Sequence, residues 1–182
     1  MKMIGRKVAL VAMLMTSLSF GQNVDLKGSS LKWTGTKVTG KHFGKIFFKT
    51  ANVGFTKEKL SSGDFTVDMK NFTIDDLNGE WATKFLKHMK SGDFFEVEKF
   101  PTASLKIKSV KGNTAIADLT IKGKTNEVKF DLKQVKNTYS GVLKFDRTKF
   151  NMKYGSGDFF KGPGDKMIHN DVTVDFKFVV KK

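Results

Sequence analysis

The chain of 182 residues contains no cysteine, only three histidines and, after residue 21, a single arginine. The missing cysteine excludes disulfides, thiolate metal sites and a lipid anchor on a cysteine. It does not argue against export, because a chain of this length can build a core without staples. The apolar run Val8 to Leu18 is too short to span a bilayer as a permanent helix. Catalytic signals are scarce as well. Nucleophilic catalysis needs a serine or threonine partnered by histidine and an acid, and His42, His88 and His169 lie in no recognisable elbow or metal-ligand spacing. Their meeting in space as a zinc site is the one metal alternative. Asp64, Asp68 and Asp75 are not spaced as a calcium loop. The chain therefore reads as a non-enzyme without a resident cofactor or metal.

What is present begins with a leader. Lys2, Arg6 and Lys7 form a basic start, Val8 to Leu18 an apolar stretch, and Ser19-Phe20-Gly21 a small-x-small cleavage site. Residues 1–21 are expected to be a signal peptide and 22–182 one exported soluble domain, periplasmic or secreted. Without the three basic residues of the leader the formal net charge falls from +15 to +12. This excess is almost wholly lysine, since Arg147 is the only arginine beyond the leader. Such a field draws a protein towards anionic head groups, acidic glycans or nucleic acid. The lysines alternate with apolar residues along strand-like segments instead of gathering into a patch, which is the pattern of solvated outer faces. A nucleic-acid binder would expose its aromatics for stacking, and these alternate inward. Peripheral contact with anionic membrane stays open, as does a homodimer.

One helix stands out from a chain otherwise written in period two. Trp81, Phe85, Leu86 and Met89 fall on one helical face, with Lys84, Lys87 and Lys90 elsewhere. Asp75, Asp76, Asn78 and Glu80 supply capping oxygens upstream, and Gly92 suits a left-handed terminator. Asp93-Phe94-Phe95 follows at once. Burying two adjacent rings is worth a few kcal/mol at roughly 25 cal/mol per Å², enough to fix this loop as a lid over an apolar interior.

Around it the strands come quickly. Leu31 and Trp33 alternate with Lys32 and Thr34, and Gly35, Gly40 and Gly44 suggest a bulge or tight bend before Ile46-Phe47-Phe48. Phe65, Val67 and Met69 form an apolar row, as do Ala103, Leu105 and Ile107. Ile116 to Ile121 follows, then Val128, Phe130 and Leu132, with turns at Gly112-Asn113 and Gly123 to Asn126. Val142 to Phe145 leads to a second Gly-Asp-Phe-Phe at 157–160, echoing 92–95 and expected to close the same mouth. Arg147 is expected to pair with Asp93 or Asp158. Val172, Val174, Phe176, Phe178 and Val180 make the longest row. Closely spaced antiparallel strands leave no room for parallel crossovers, so the fold is a sandwich or a barrel.

Five ordered blocks resemble the YceI-like family of periplasmic, lipocalin-like proteins that bind polyisoprenoids. They are Trp33 to Gly44 with its Gly-x-His-x-Gly element, Gly63 to Asp76, Lys90 to Ala103, Leu119 to Thr125, and Asp146 to Phe160. The resemblance implies an all-β, antiparallel eight-stranded lipocalin-like barrel with a short helix-bearing lid insertion. It also implies a tunnel left unfilled for a long isoprenoid, a fatty lipid or a quinone as cargo. Expected lining residues are Phe65, Val67, Met69, Phe85, Leu86, Met89, Phe94, Phe95, Leu105, Ile107, Ile121, Phe130, Leu132, Phe145, Phe176 and Phe178. The competing reading is a basic surface module whose phenylalanines fill the core. His42 is expected to be a hydrogen-bonded turn residue, and His88 stands near the mouth, where it could meet a head group.

Overall fold

The computed structural model describes residues 22–161 and 164–181; the expected leader lies outside the described residues. Nine antiparallel strands form one sheet: β1 Gln22–Lys37, β2 Gly40–Thr56, β3 Lys59–Asp68, β4 Thr102–Lys111, β5 Thr114–Ile121, β6 Lys124–Asp131, β7 Lys133–Val135, β8 Thr138–Asp146 and β9 Ile168–Val180. One helix, α1 Gly79–Lys90, lies between β3 and β4, and two 3-10 turns, Arg147–Phe150 and Gly164–Lys166, lie between β8 and β9. The order across the sheet is β6-β5-β4-β3-β2-β1-β9-β8-β7. The count exceeds the expected eight because of β7, three exposed residues that pair with the start of β8 and carry no apolar alternation.

The sheet curls into a nearly closed barrel. β6 and β8 meet at a seam where Gly141 lies so close to the Asp131 carbonyl that a Cβ would sit 2.3 Å from it. Phe130 and Phe176 cross the inside of that seam edge to face at 5.4 Å, and Asn126 Nδ2 donates to the Lys149 carbonyl at 3.2 Å outside it. The bends expected from early glycines appear as a shift of register in the β1–β9 ladder between Gly35 and Lys37. The β5–β6 turn is Lys122-Gly123, both with positive φ, and Lys124 already belongs to β6. That is two residues tighter than the Gly123 to Asn126 turn read from the sequence, the two-residue geometry whose twist matches its strands.

The longer strands turn one row of side chains inward, and the antiparallel order gives the barrel two unlike ends. At the lower end the connections are short, and a plug of Val24, Val53, Leu60, Phe65, Tyr139, Phe178 and Val180 is buried. There Tyr139 stacks on Phe178 at 5.0 Å, and Phe65 meets Phe178 at 5.1 Å. At the upper end both long connections emerge. Between the ends the inward residues Leu31, Ile46, Phe48, Val67, Leu105, Phe145 and Phe176 are only half-buried.

The first connection is tied down by Thr73. Its N–H donates to the Lys45 carbonyl at 2.9 Å, while its own carbonyl accepts from Trp33 Nε1 at 3.0 Å. This requires Gly44, because a Cβ there would lie 2.0 Å from the Thr73 oxygen. Gly44→Ala is expected to destabilise the fold by about 3 kcal/mol, the upper range for overpacking, since backbone must move. A urea midpoint equal to that of the parent would contradict the contact.

Candidate functional site

The barrel interior holds a cavity of about 650 Å³, within the range of roughly 300–1,000 Å³ usual for small-molecule sites. Leu31, Trp33, Ile46, Phe48, Phe65 and Val67 line it from β1 to β3; Ala103, Leu105, Ile107, Leu119, Ile121 and Phe130 from β4 to β6; Leu143, Phe145, Val172, Val174, Phe176 and Phe178 from β8 and β9. Met69, Phe72, Phe85, Met89, Phe94 and Phe95 cover it from the first connection. The phenylalanines therefore ring the interior without filling it.

Fourteen of the sixteen expected lining residues stand on this wall, and two do not. Leu86 is one position round the helix from Phe85 and packs beside the core instead. Leu132 follows the end of β6, where its N–H turns to the Asn113 carbonyl at 2.7 Å, so the period of two has already been broken. Trp33, Ile46 and Phe48 also line the cavity, though absent from the expected set. Their period was readable, but glycines interrupt it.

Nearly all the hydrogen-bonding groups on the wall lie at the upper end: Thr36, Lys37, Thr39, His42, His88, Tyr154, Asp165, Lys166 and His169. All three histidines are thus brought to one mouth, yet each is held by its own partner. His42 Nδ1 donates to Asp76 Oδ2 at 2.7 Å, His88 Nε2 meets Asp93 Oδ2 at 2.9 Å, and His169 Nδ1 meets Thr36 Oγ1 at 2.8 Å. Among the described residues no three histidine, aspartate or glutamate side chains cluster as a metal site would require. His42 is hydrogen-bonded as expected but lies in β2, paired with Gly35, and not in the turn before it; its ring centre stands 4.8 Å from that of Phe85. Asp76 Oδ1 accepts from the Phe43 N–H at 2.9 Å. Burial works to raise the Asp76 pKa, but the hydrogen bonds from Phe43 and His42, with the His42 charge, outweigh it and hold the carboxyl below its ordinary value.

The lid is built differently from the sequence expectation in three respects. Asn78 occupies the N-cap without a side-chain hydrogen bond, Asp76 being engaged with His42 and Glu80 with Lys84. Trp81 is 72% exposed, because the helix starts beyond the barrel rim and only its later turns cover the interior. Ser91 in extended backbone ends the helix, and the left-handed residue is Glu96, not Gly92. Lys122, itself buried, donates from Nζ to the Gly92 carbonyl and latches the lid to the β5–β6 turn. Phe94 is buried against His88 at 5.1 Å and Tyr154 at 5.6 Å.

The repeated Ser-Gly-Asp-Phe-Phe forms one local turn twice. Ser91 Oγ accepts from Asp93 N and Ser91 O from Phe94 N; Ser156 Oγ accepts from Asp158 N and Ser156 O from Phe159 N. The rings fare oppositely. Phe159 and Phe160 are left exposed and close nothing, and it is Tyr154 of the same loop that makes the contact to the lid.

Arg147 does not pair with Asp93 or Asp158; Asp158 binds Asn170 instead. Its guanidinium donates to three main-chain carbonyls, from Nε to His169 and Nη2 to Ile168, both at 3.0 Å, and from Nη1 to Met152. Burial draws its pKa down, against the Asp146 charge. The fork binds the turn after β8 to the start of β9. Sequence carries no signal for a main-chain partner.

Two outcomes follow. Lysine cannot reach three diverging carbonyls, so Arg147→Lys is expected to cost about 3 kcal/mol in denaturant melts, and a parental midpoint would show the fork to be dispensable. Asp76 titrates lower folded than unfolded, so its stabilisation is complete above about pH 4 and is lost as pH falls through the lowered folded value. Asp76→Asn is expected to flatten that acid limb in a stability–pH series; an acid limb of unchanged slope would contradict the assignment.

Comparisons with known proteins agree with this geometry. UPF0312 proteins of Staphylococcus aureus are 46% identical over 57 residues, a match spanning 31% of this chain and 30% of theirs. Among solved structures, BcnA of Burkholderia cenocepacia aligns over 87% of this chain and 100% of its own with TM-score 0.67 at 24% identity. A polyisoprenoid binding domain from Saccharophagus degradans aligns over 87% and 98% with TM-score 0.58 at 13% identity. The Campylobacter jejuni YceI protein aligns over 100% and 94% with TM-score 0.53 at 14% identity. The model of the YceI-like domain matches residues 22–180, and the chain belongs to that family.

Proposed function

We propose that this protein is an exported, non-enzymatic binder and carrier of a polyisoprenoid or similar long-chain lipid, a quinone included. The observation that carries the reading is the cavity of about 650 Å³, apolar along its length and polar almost solely at its mouth. That is the shape of a molecule with a long hydrocarbon tail and a small head. The solved domain from Saccharophagus degradans is described as polyisoprenoid binding, which favours the same class of cargo.

Magnitudes set the length of tail required. At about 0.8 kcal/mol per buried carbon, one five-carbon isoprene unit contributes about 4 kcal/mol. Association costs on the order of 4–15 kcal/mol. One or two units hardly offset that cost, and a chain of several units binds without any charged contact. The competing reading, a basic module with a filled core, is disfavoured by the half-buried wall residues. His42 and His88 are each tied to a carboxylate, and among the described residues no acid orients the His169 ring that meets the Thr36 hydroxyl, so no histidine completes a hydroxyl–imidazole–acid triad. The basic leader supports passage to the periplasm or beyond.

Native mass spectrometry of protein purified from its exported compartment, followed by solvent extraction, is the test. A stoichiometric long-chain lipid is expected. Leu105→Trp, placed mid-wall, should lower lipid occupancy tenfold or more while leaving the sheet signal in circular dichroism intact. Lipid-free protein that takes up nothing from an added panel of isoprenoids and fatty lipids would refute the carrier reading.

A further inference from the structure

Five large apolar residues stand exposed at the upper end: Val38 at 50%, Trp81 at 72%, Tyr154 at 45%, Phe159 at 48% and Phe160 at 49%. Most of them form one neighbourhood. Val38, at the β1–β2 turn, donates its N–H to the Met167 carbonyl at 3.1 Å. Met167 packs beneath Gly157, where a Cβ would meet its sulfur at 2.7 Å. Phe159 and Phe160 follow two and three residues on, and Tyr154 reaches from the same loop to His88 at 4.6 Å. Lysines are interleaved: Lys153 lies 4.4 Å from the Phe159 ring centre, Lys161 follows it, and Lys37 and Lys166 stand on the mouth. Against these four cations stands Asp165, with Asp158 taken up by Asn170 and Asp76 and Asp93 taken up by His42 and His88.

The exposure is not a by-product of the local turn. The same five residues at 91–95 bury Phe94, so a turn of this shape is able to dock its first ring. At 156–160 both rings are instead left about half exposed, beside Lys153. Exposed aromatics among lysines are the arrangement found at the membrane–water interface, with rings at head-group depth and ammonium groups on anionic lipid. The opening they surround leads to the apolar cavity.

We propose that this rim seats the protein mouth-down on an anionic bilayer leaflet, so that a lipid tail passes between bilayer and barrel without crossing water. The proposal rests on the carrier reading for its purpose, but not for its test. The test is flotation of the purified chain with vesicles of phosphatidylcholine alone or with about a third phosphatidylglycerol. Anion-dependent association, weakened by added salt, is expected for the parent. The pair Phe159→Ser and Phe160→Ser should reduce the vesicle-bound fraction tenfold or more. The pair Lys153→Glu and Lys161→Glu should abolish the preference for anionic lipid with the rings untouched.

Phe47→Ser is the control. Phe47 is 46% exposed on β2, and lies roughly 23 Å along the strand from the turn at about 3.3 Å per residue. It should bind as the parent does. Parental binding by both paired variants, or an equal loss in Phe47→Ser, would overturn the rim. Loading from detergent micelles separates the two readings: rim variants should still fill from micelles. A parent that binds vesicles through the rim yet never fills would sink the carrier reading alone.

Discussion

A barrel that keeps its centre open forgoes the close-packed middle on which most domains of this length rely, and its walls must be held from elsewhere. Protein interiors normally reach the density of organic crystals. Here buried clusters stand at the two ends: the aromatic plug of Phe65, Tyr139 and Phe178 below, and Trp33, Ile74, Phe94, Phe150 and Met152 above. Between them the nine-strand ladder carries the structure. Each of its hydrogen bonds contributes only about 1 kcal/mol net, but together they close a wall that needs no contents to stand.

The two upper connections carry unequal duties. The first is pinned at many points: Thr73 to Lys45 and Trp33, Asp76 to His42 and Phe43, Gly92 to Lys122. Phe85 lies parallel to Trp33 with ring centres 6.2 Å apart, which settles the helix over the barrel rim. The second is organised from beneath by Arg147, whose three carbonyl partners span the turn after β8 and the start of β9. A carboxylate partner would have fixed one point; three carbonyls fix the path of the chain.

Period-two alternation in Phe65, Val67 and Met69, in Leu105 and Ile107, and in Phe176 and Phe178 disclosed both strand and inward face, because a half-buried sheet imposes that pattern on sequence directly. The pattern failed where its cause stopped. Leu132 continued the row of Phe130 after the backbone had left the ladder. Trp81 matched the helical face of Phe85 while lying past the barrel edge. The two identical pentapeptides predicted identical fates, yet a turn fixes only its own hydrogen bonds; the Phe94 ring finds Tyr154 and His88 to lie against, and Phe159 finds solvent. Whether the phenylalanines ringed or filled the interior depended on strand number and tilt, which no local window contains.

The pairing of β1 with β9 places the first and last strands of the described chain side by side in the middle of the sheet. No barrel exists until residues 168–180 have been made and have found residues 24–37. Closing so long a loop is slow, and folds dominated by such distant pairings take milliseconds to seconds where local ones take far less. For a protein proposed to be exported, that delay is an advantage: the chain stays threadable through a narrow translocation pore for as long as its final strand is still behind it.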